Sequence, residues 1–206
     1  MSKVRIGLPK VRLTFPHLFE KQPIGGVIDS EEKRKYTATF ILSKDNPKHV
    51  AVVAKIAEHE KQILNEIKLK KAPHVIVKCN DEFLDSIDDS DNAGKSKLEK
   101  CAYLKNTWSI VATNGFAPVL ELVRDIPLDP SKDINPFYAG CYVNAVIELS
   151  PYKFNNNWKG ITKYLLLVRF SEKGEKLGAT TVKGSDYFDD EDEDFTSDAF
   201  EDEKLF

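Results

Sequence analysis

The chain reads as mainly β with one long helix, its short antiparallel strands closed into a barrel and followed by an acidic C-terminal tail. Three observations predict this class. Apolar and polar residues alternate along most of the sequence, a single stretch switches to the helical period, and no second helical stretch separates the later strands. Strands without helical crossovers pair antiparallel, and closing the sheet is the economical way to bury its edges.

The elements follow in order. Residues 4–15 read as a strand with a defect: Val4, Ile6 and Leu8 alternate, Pro9 interrupts, and Val11, Leu13 and Phe15 resume in the opposite phase. A bulge near Gly7 to Pro9 accounts for the slip. Residues 16–30 read as loop around Pro23 and Gly25-Gly26. Residues 35–43 alternate again, with Tyr36, Ala38, Phe40 and Leu42 opposite Thr37, Thr39 and Ile41. Asn46 then caps a helix whose first residue is Pro47, running to about residue 70, with Val53, Ile56, Ile63 and Ile67 on one face.

A short strand is expected at 74–79, followed by an exposed excursion over 81–100 that is rich in Asp, Ser, Lys and Gly. Strands at 107–112 and 119–123 flank Thr113-Asn114-Gly115, which reads as a tight turn, with Pro118 confined to an edge. Residues 126–135 read as loop. The long strand 140–150 points Cys141, Val143, Ala145, Ile147 and Leu149 inward and Tyr142, Asn144 and Glu148 outward, and 164–171 pairs with it across a loop at 151–162. A five-stranded OB-fold-like barrel with an inserted helix fits this order. A β-sandwich of similar strand number is the alternative.

The size suits one domain over residues 1–185, with 186–206 as a separate tail. No apolar run approaches a membrane span or a signal peptide, so a soluble, intracellular protein is expected. Cys79, Cys101 and Cys141 are odd in number and widely spaced, which suits free thiols better than a disulfide framework or a zinc site.

Catalytic and metal-binding motifs are incomplete in this sequence. Gly94-Lys95-Ser96 resembles the end of a phosphate-binding loop, but Asp89 stands where its first glycine belongs. Asp85, Asp88, Asp89 and Asp91 suggest calcium, yet Ala93 and Lys100 occupy ligand positions of the corresponding loop. His17, His49, His59 and His74 have no metal-like pairing, and each reads as a surface or packed residue. No nucleophile elbow or cysteine-centred signature is present. The expectation is therefore a non-enzyme without cofactor or metal.

Cations beside aromatics recur instead. Lys35-Tyr36, Lys105 with Trp108, Tyr152-Lys153-Phe154, Trp158-Lys159 and Lys163-Tyr164 combine a charge for a phosphate with a ring for a base. That mixture is what sequence-tolerant binding of single-stranded nucleic acid requires. Arg5 and Arg12 on the first strand's polar phase, with Lys33 and Arg34 leading into the second, complete the candidate cations. Tyr142 and Asn144 lie on the phase opposite the core, and Trp158 follows three asparagines in what reads as a polar loop. Aromatics at alternate strand positions are as often core, and that reading stays open for Tyr36 and Tyr164.

The tail opposes the body in charge. Residues 186–206 hold eleven acids and one lysine, including Asp189, Asp190, Glu191, Asp192, Glu193 and Asp194, and the chain's net charge of −3 divides into +7 for the body and −10 for the tail. Tyr187, Phe188, Phe195, Phe200 and Phe206 punctuate it. The composition predicts a disordered segment that imitates phosphates and bases, competes for the body's basic surface, and spans about 25 Å if flexible.

Residues 135–145, from Asn135-Pro136-Phe137-Tyr138 through Tyr142-Val143-Asn144-Ala145, together with 163–178, 11–19 and 36–42, resemble a family of bacteriophage single-stranded DNA-binding proteins. More distantly, the plan is similar to the replication ssDNA-binding proteins of short-tailed coliphages, which join an OB barrel, a long helix and an acidic C-terminus ending in Phe. This tail departs from theirs in its five aromatics. The resemblance implies an OB fold, sequence-independent ssDNA binding, a role in phage replication or recombination in the cytoplasm of the infected host, and recruitment of polymerase and helicase/primase through the tail. A homodimer that exchanges tails is also open. An adaptor with weak nucleic-acid affinity and a metal-dependent nuclease are the competing functions.

Overall fold

The computed structural model describes residues 3–23, 34–70, 72, 74–87, 97–123, 126–129 and 135–177. Among the described residues eight strands form one sheet: β1 Val4–Pro23, β2 Arg34–Ser43, β3 Lys78–Cys79, β4 Thr107–Asn114, β5 Val119–Val123, β6 Ile126–Pro127, β7 Tyr142–Phe154 and β8 Asn157–Glu172. Their order is β3-β4-β2-β1-β7-β8-β5-β6, and a further β4–β8 pairing joins the sheet to itself. The ring β1-β2-β4-β8-β7 is thus a closed five-stranded barrel of OB-like topology, and the sandwich alternative falls away.

Inside the barrel, the inward phase of each strand meets the others. Leu8, Val11 and Leu13 from β1, Ala38, Phe40 and Leu42 from β2, Ile110 and Ala112 from β4, Val143, Ala145, Ile147 and Leu149 from β7, and Leu165 and Val168 from β8 are all buried. The expected bulge in β1 is present as a register shift between Leu8 and Val11, with Lys10 at φ 45°. The strand does not end at Phe15. It runs on to Pro23 through two more shifts against β2, so that much of the expected 16–30 loop is strand.

Helix α1, Pro47–Glu66, begins where expected: the Asn46 side chain accepts from the Lys48 N–H at 3.0 Å and Pro47 opens the first turn. It stops at Glu66, a few residues short of the expected end. Its buried face is His49, Ile56 and Ile63, continued by Ile67 just past the end, packed across β1, β2, β7 and β8. His49 pins this helix to the bulge. Its Nδ1 accepts from the Ser43 N–H at 3.0 Å, and its Nε2 lies 3.0 Å from the Pro9 carbonyl, to which it donates.

Three expectations about connections need correction. The 81–100 excursion holds helical structure: α2, Asn80–Asp85, is tied down by Asn80, which donates to Thr107 Oγ1 and accepts from Ser109 Oγ, both at 2.9 Å, and residues 97–100 are helical as well. The expected strand at 74–79 shrinks to Lys78–Cys79, the two residues that pair with β4. The 151–162 loop is instead the continuation of β7 and β8 as a hairpin, turning at Asn155 and Asn156 with φ of 49° and 61°. Two consecutive positive-φ residues make a type I′ turn, which asparagine tolerates.

The expected tight turn before β5 is also absent. Thr113-Asn114-Gly115 does not fold β5 back on β4. The chain goes straight on, so that Thr113 pairs parallel with Tyr164, and Val119, Leu120 and Glu121 pair parallel with Leu167, Val168 and Arg169 on the same strand. Between these two pairings the Asn114 side chain donates to the Leu165 carbonyl at 2.9 Å. The acidic tail lies outside the described residues.

Asn114→Ala is expected to cost about 1–3 kcal/mol, because the Leu165 carbonyl loses its donor at a site with little solvent access. Urea unfolding measures the cost, and an unchanged midpoint would show that the asparagine does not hold the seam.

Candidate nucleic-acid interface

An open cleft of about 540 Å³ lies over the closing seam, lined by Lys35 from β2, Val111 and Thr113 from β4, Tyr152 from β7, Ile161, Thr162, Lys163 and Tyr164 from β8, and His74. The seam pair Thr113–Tyr164 belongs to this lining. Closing the barrel therefore brings Lys35, Lys163 and Tyr164 together, three residues singled out by sequence. The outward phase of β2 and β4 forms the floor, as it does in oligonucleotide-binding barrels of this topology, and the loop between the fourth and fifth barrel strands forms one wall.

That wall is the β7–β8 hairpin. Lys153 and Lys159 are exposed on it, Phe154 is 65% exposed at its end, and Tyr152 points into the cleft. Trp158 is placed differently from expectation. It sits on β8 opposite Lys153, half-buried against the core, with the Lys153 ammonium 4.5 Å from its ring. The indole stiffens the arm and holds a cation over its open face.

Lys163 is a cleft cation whose charge its surroundings oppose. Burial pulls its ammonium below the usual lysine range, against the opposing pull of Glu60 on α1, whose own carboxyl is raised by burial. Its Nζ donates to the Val75 carbonyl at 3.4 Å. A half-covered ammonium facing a cleft suits a ligand that brings negative charge, because the ligand supplies the counter-charge that folding withheld.

Other candidate residues lie away from the cleft. Arg5 pairs with the buried Glu148 at 3.3 Å, where Lys3 joins it at 3.6 Å, so this cation satisfies an internal carboxylate. Arg12 is a latch: its guanidinium donates to the Glu175 carbonyl at 2.9 Å and to the Gly140 carbonyl at 3.4 Å. Tyr142 lies beneath Lys10 at 5.9 Å beside that latched segment. Trp108 shares the inward phase of Ile110 and Ala112 and packs against the core, with the Lys44 ammonium 5.5 Å from its ring. Lys105 is exposed by α2, near Asp81. Tyr36 is half-buried beside Lys21, Arg34 stands exposed at the start of β2, and Lys33 lies outside the described residues.

Sequence reasoning missed His74, Val111 and Thr113 as lining residues, and left Tyr152 out of the site although it belongs to a quoted Tyr-Lys-Phe triplet. A second groove of about 420 Å³ runs between α1 and the backs of β1, β7 and β8, lined by Gly7, Pro9, Val52, Val146, Leu167 and Arg169. Among the described residues its one cation, Arg169, is held at 2.6 Å by Glu121, which leaves the groove poorly equipped for phosphates. Among the described residues no group of three or more His, Cys, Asp or Glu side chains is placed to hold a metal ion, and no helix is long and apolar enough to cross a membrane.

Residues 3–198 match the sequence model of a family described as the ssDNA-binding protein of Enterobacter phage Enc34. Protein p50 of Acyrthosiphon pisum secondary endosymbiont phage 1 is 30% identical over 189 residues, covering 91% of this chain and 94% of that protein. Among solved structures, the single-stranded DNA-binding protein from bacteriophage Enc34 aligns with a TM-score of 0.61 at 24% identity, over 90% of each chain. The same protein in complex with ssDNA aligns equally well over 84% of this chain and 89% of that one, also at 24% identity. The gp2.5 single-stranded DNA-binding protein of bacteriophage T7 aligns at 0.50 with 12% identity, over 92% of this chain and 97% of that one, a likeness of fold.

The depressed Lys163 group gives a signed pH dependence. In the window between its lowered folded pKa and the ordinary lysine value, the unfolded chain binds more protons, so stability rises with pH there. Lys163→Met is expected to remove that rise, measured as the difference between wild-type and variant unfolding free energies at neutral and alkaline pH. A difference that does not change with pH would contradict the burial of the ammonium.

Proposed function

The chain belongs to the Enterobacter phage Enc34 ssDNA-binding protein family, and from that premise we propose that it coats single-stranded DNA through the seam cleft and the β7–β8 arm. The observation that carries the proposal is the convergence of Lys35, Lys163, Tyr152 and Tyr164 on one cleft, with Lys153, Phe154 and Lys159 along its wall. The lysines meet phosphates, and Tyr152, Tyr164 and Phe154 stack on bases without reading their edges. No catalytic step enters this reading. The protein acts by occupying the strand during replication or recombination in the host cytoplasm.

The body of residues 1–185 and the tail of residues 186–206 divide the work. A −10 segment tethered to a +7 body is a built-in rival for the phosphate-binding surface. Its acidic run from Asp189 to Asp194, with Phe206 and the other aromatics, carries both chemistries of the nucleic acid it would compete with. When DNA displaces it, the tail is free to recruit basic surfaces of replication proteins, polymerase and helicase/primase among them, or of a second copy of this chain. The last described residues support this division. Arg12 and Tyr138 hold Glu175 and Gly174, so the body is tied down close to its last described residue.

Titration with oligo-dT at several salt concentrations tests the binding. Affinity is expected to fall with salt at a logarithmic slope of about −0.7 for each phosphate neutralised, and the Lys35→Ala, Lys163→Ala double variant should flatten it. Tyr152→Ala is expected to cost about 1–3 kcal/mol of binding energy. Equal affinity for single strands and duplex at low salt would overturn the proposal. Truncation after Ser185 should tighten binding by the body; unchanged affinity on truncation would remove the competitor role while leaving the DNA site standing.

A further inference from the structure

We propose a second base-stacking subsite on the outer face of the barrel, formed by Phe15 and Phe83 above a floor of Thr39, Ile41 and Ser109, which single-stranded DNA reaches by running along β2 and β4 from the seam cleft. This rests on the ssDNA reading above and extends it to residues that neither the Lys-aromatic pattern nor the cleft includes.

The two sites are contiguous. Thr37, Thr39 and Ile41 on β2 pair with Thr113, Val111 and Ser109 on β4, and all six lie on the strands' outward phase. Thr113 and Val111 line the seam cleft, whereas Thr39, Ile41 and Ser109 line a pocket of about 150 Å³ at the far end of the same face, so the pockets meet at the Thr39–Val111 pair. From Lys35 to Ile41 the track spans roughly 20 Å of strand. These six residues are hydroxylated or apolar, and none is charged.

The walls of the second pocket are aromatic and open. Phe15 is 63% exposed and Phe83 37% exposed, with Tyr103 half-buried beside them and the Lys78 ammonium 5.0 Å from the Phe83 ring. That is a ring for a base with a cation beside it, the same pairing as on the hairpin arm.

Both walls are held in place by their surroundings. Phe15 has φ 47°, a left-handed conformation rare for a bulky residue, at the irregularity of β1 between Thr14 and His17. Such strain is retained where the surroundings impose it, and here it projects an apolar ring into solvent over the groove. Phe83 rides on α2, which is fixed by the buried Asn80 contacts to β4. The neighbouring Asp81 accepts from Lys44 at 2.6 Å and from the Asn106 N–H at 2.7 Å. A short helix anchored twice at its start presents its aromatic residue in a set position.

The test is an oligo-dT length series, from about four to about sixteen nucleotides, with full-length wild-type protein, Phe15→Asn combined with Phe83→Ala, and Tyr152→Ala. Asparagine accepts the left-handed backbone, so the double variant is expected to melt close to wild type while losing both rings. It should bind the shortest oligonucleotides as wild type does and the longer ones about 5- to 150-fold more weakly, the loss of one or more stacked bases. Tyr152→Ala should weaken every length. Phe15→Trp should keep wild-type affinity and add a fluorescence signal quenched only by the longer strands. If the double variant matches wild type at all lengths while Tyr152→Ala is weakened, the subsite is overturned and the seam cleft stands. If wild type binds no oligonucleotide, the ssDNA reading fails and the subsite with it.

Discussion

The parallel contact of β4 with β8 is the constraint on which the rest of this molecule depends. One backbone pairing, Thr113 with Tyr164, and one side-chain bond, Asn114 to the Leu165 carbonyl, turn an eight-stranded sheet into a barrel. Parallel pairing demands that β4 and β8 run the same way, and the chain satisfies this by continuing through residues 115–118 into β5 instead of turning back. The seam is also where β2's Lys35 and β8's Lys163 and Tyr164 come within reach of one ligand. Fold closure and site assembly are thus the same event.

Rigidity spreads outward from that seam. β7 and β8 stay paired well beyond the barrel, to Phe154 and Asn157, and the cross-strand contact of Lys153 with Trp158 stiffens the projecting arm. On the other side, α1 packs across four strands, with His49 spanning Pro9 and Ser43. The costs gather at the binding face: a half-covered Lys163, a Phe15 in left-handed backbone, and aromatic rings left in water. Each opposes folding slightly and each is offset by a ligand that carries phosphates and bases.

Much of the fold was legible in the sequence. Alternation placed the inward sets of β2 and β7 correctly, Pro9 announced the bulge, and Asn46-Pro47 marked the start of α1. The errors have physical causes. Asn155-Asn156-Asn157 looks like an irregular loop because polar residues mark loops and I′ turns alike, and only φ tells them apart. Thr-Asn-Gly promised a hairpin that the competing strand β8 forestalled. On β4 both faces carry apolar residues, Trp108, Ile110 and Ala112 against Val111, so composition could not say that the tryptophan faces the core. Arg5 and Arg12 lie on the polar phase as read, but their partners Glu148 and Glu175 are 143 and 163 residues away, beyond any local pattern.

Hydrogen exchange of the full-length protein with and without a saturating oligo-dT strand distinguishes the seam face from the groove beside α1 as the place where DNA lies. Exchange should slow in β2, β4 and the β7–β8 arm, with α1 and the groove of Gly7, Val52 and Arg169 unchanged. Protection confined to α1 and that groove, with the seam and arm unaffected, would contradict a seam-face site.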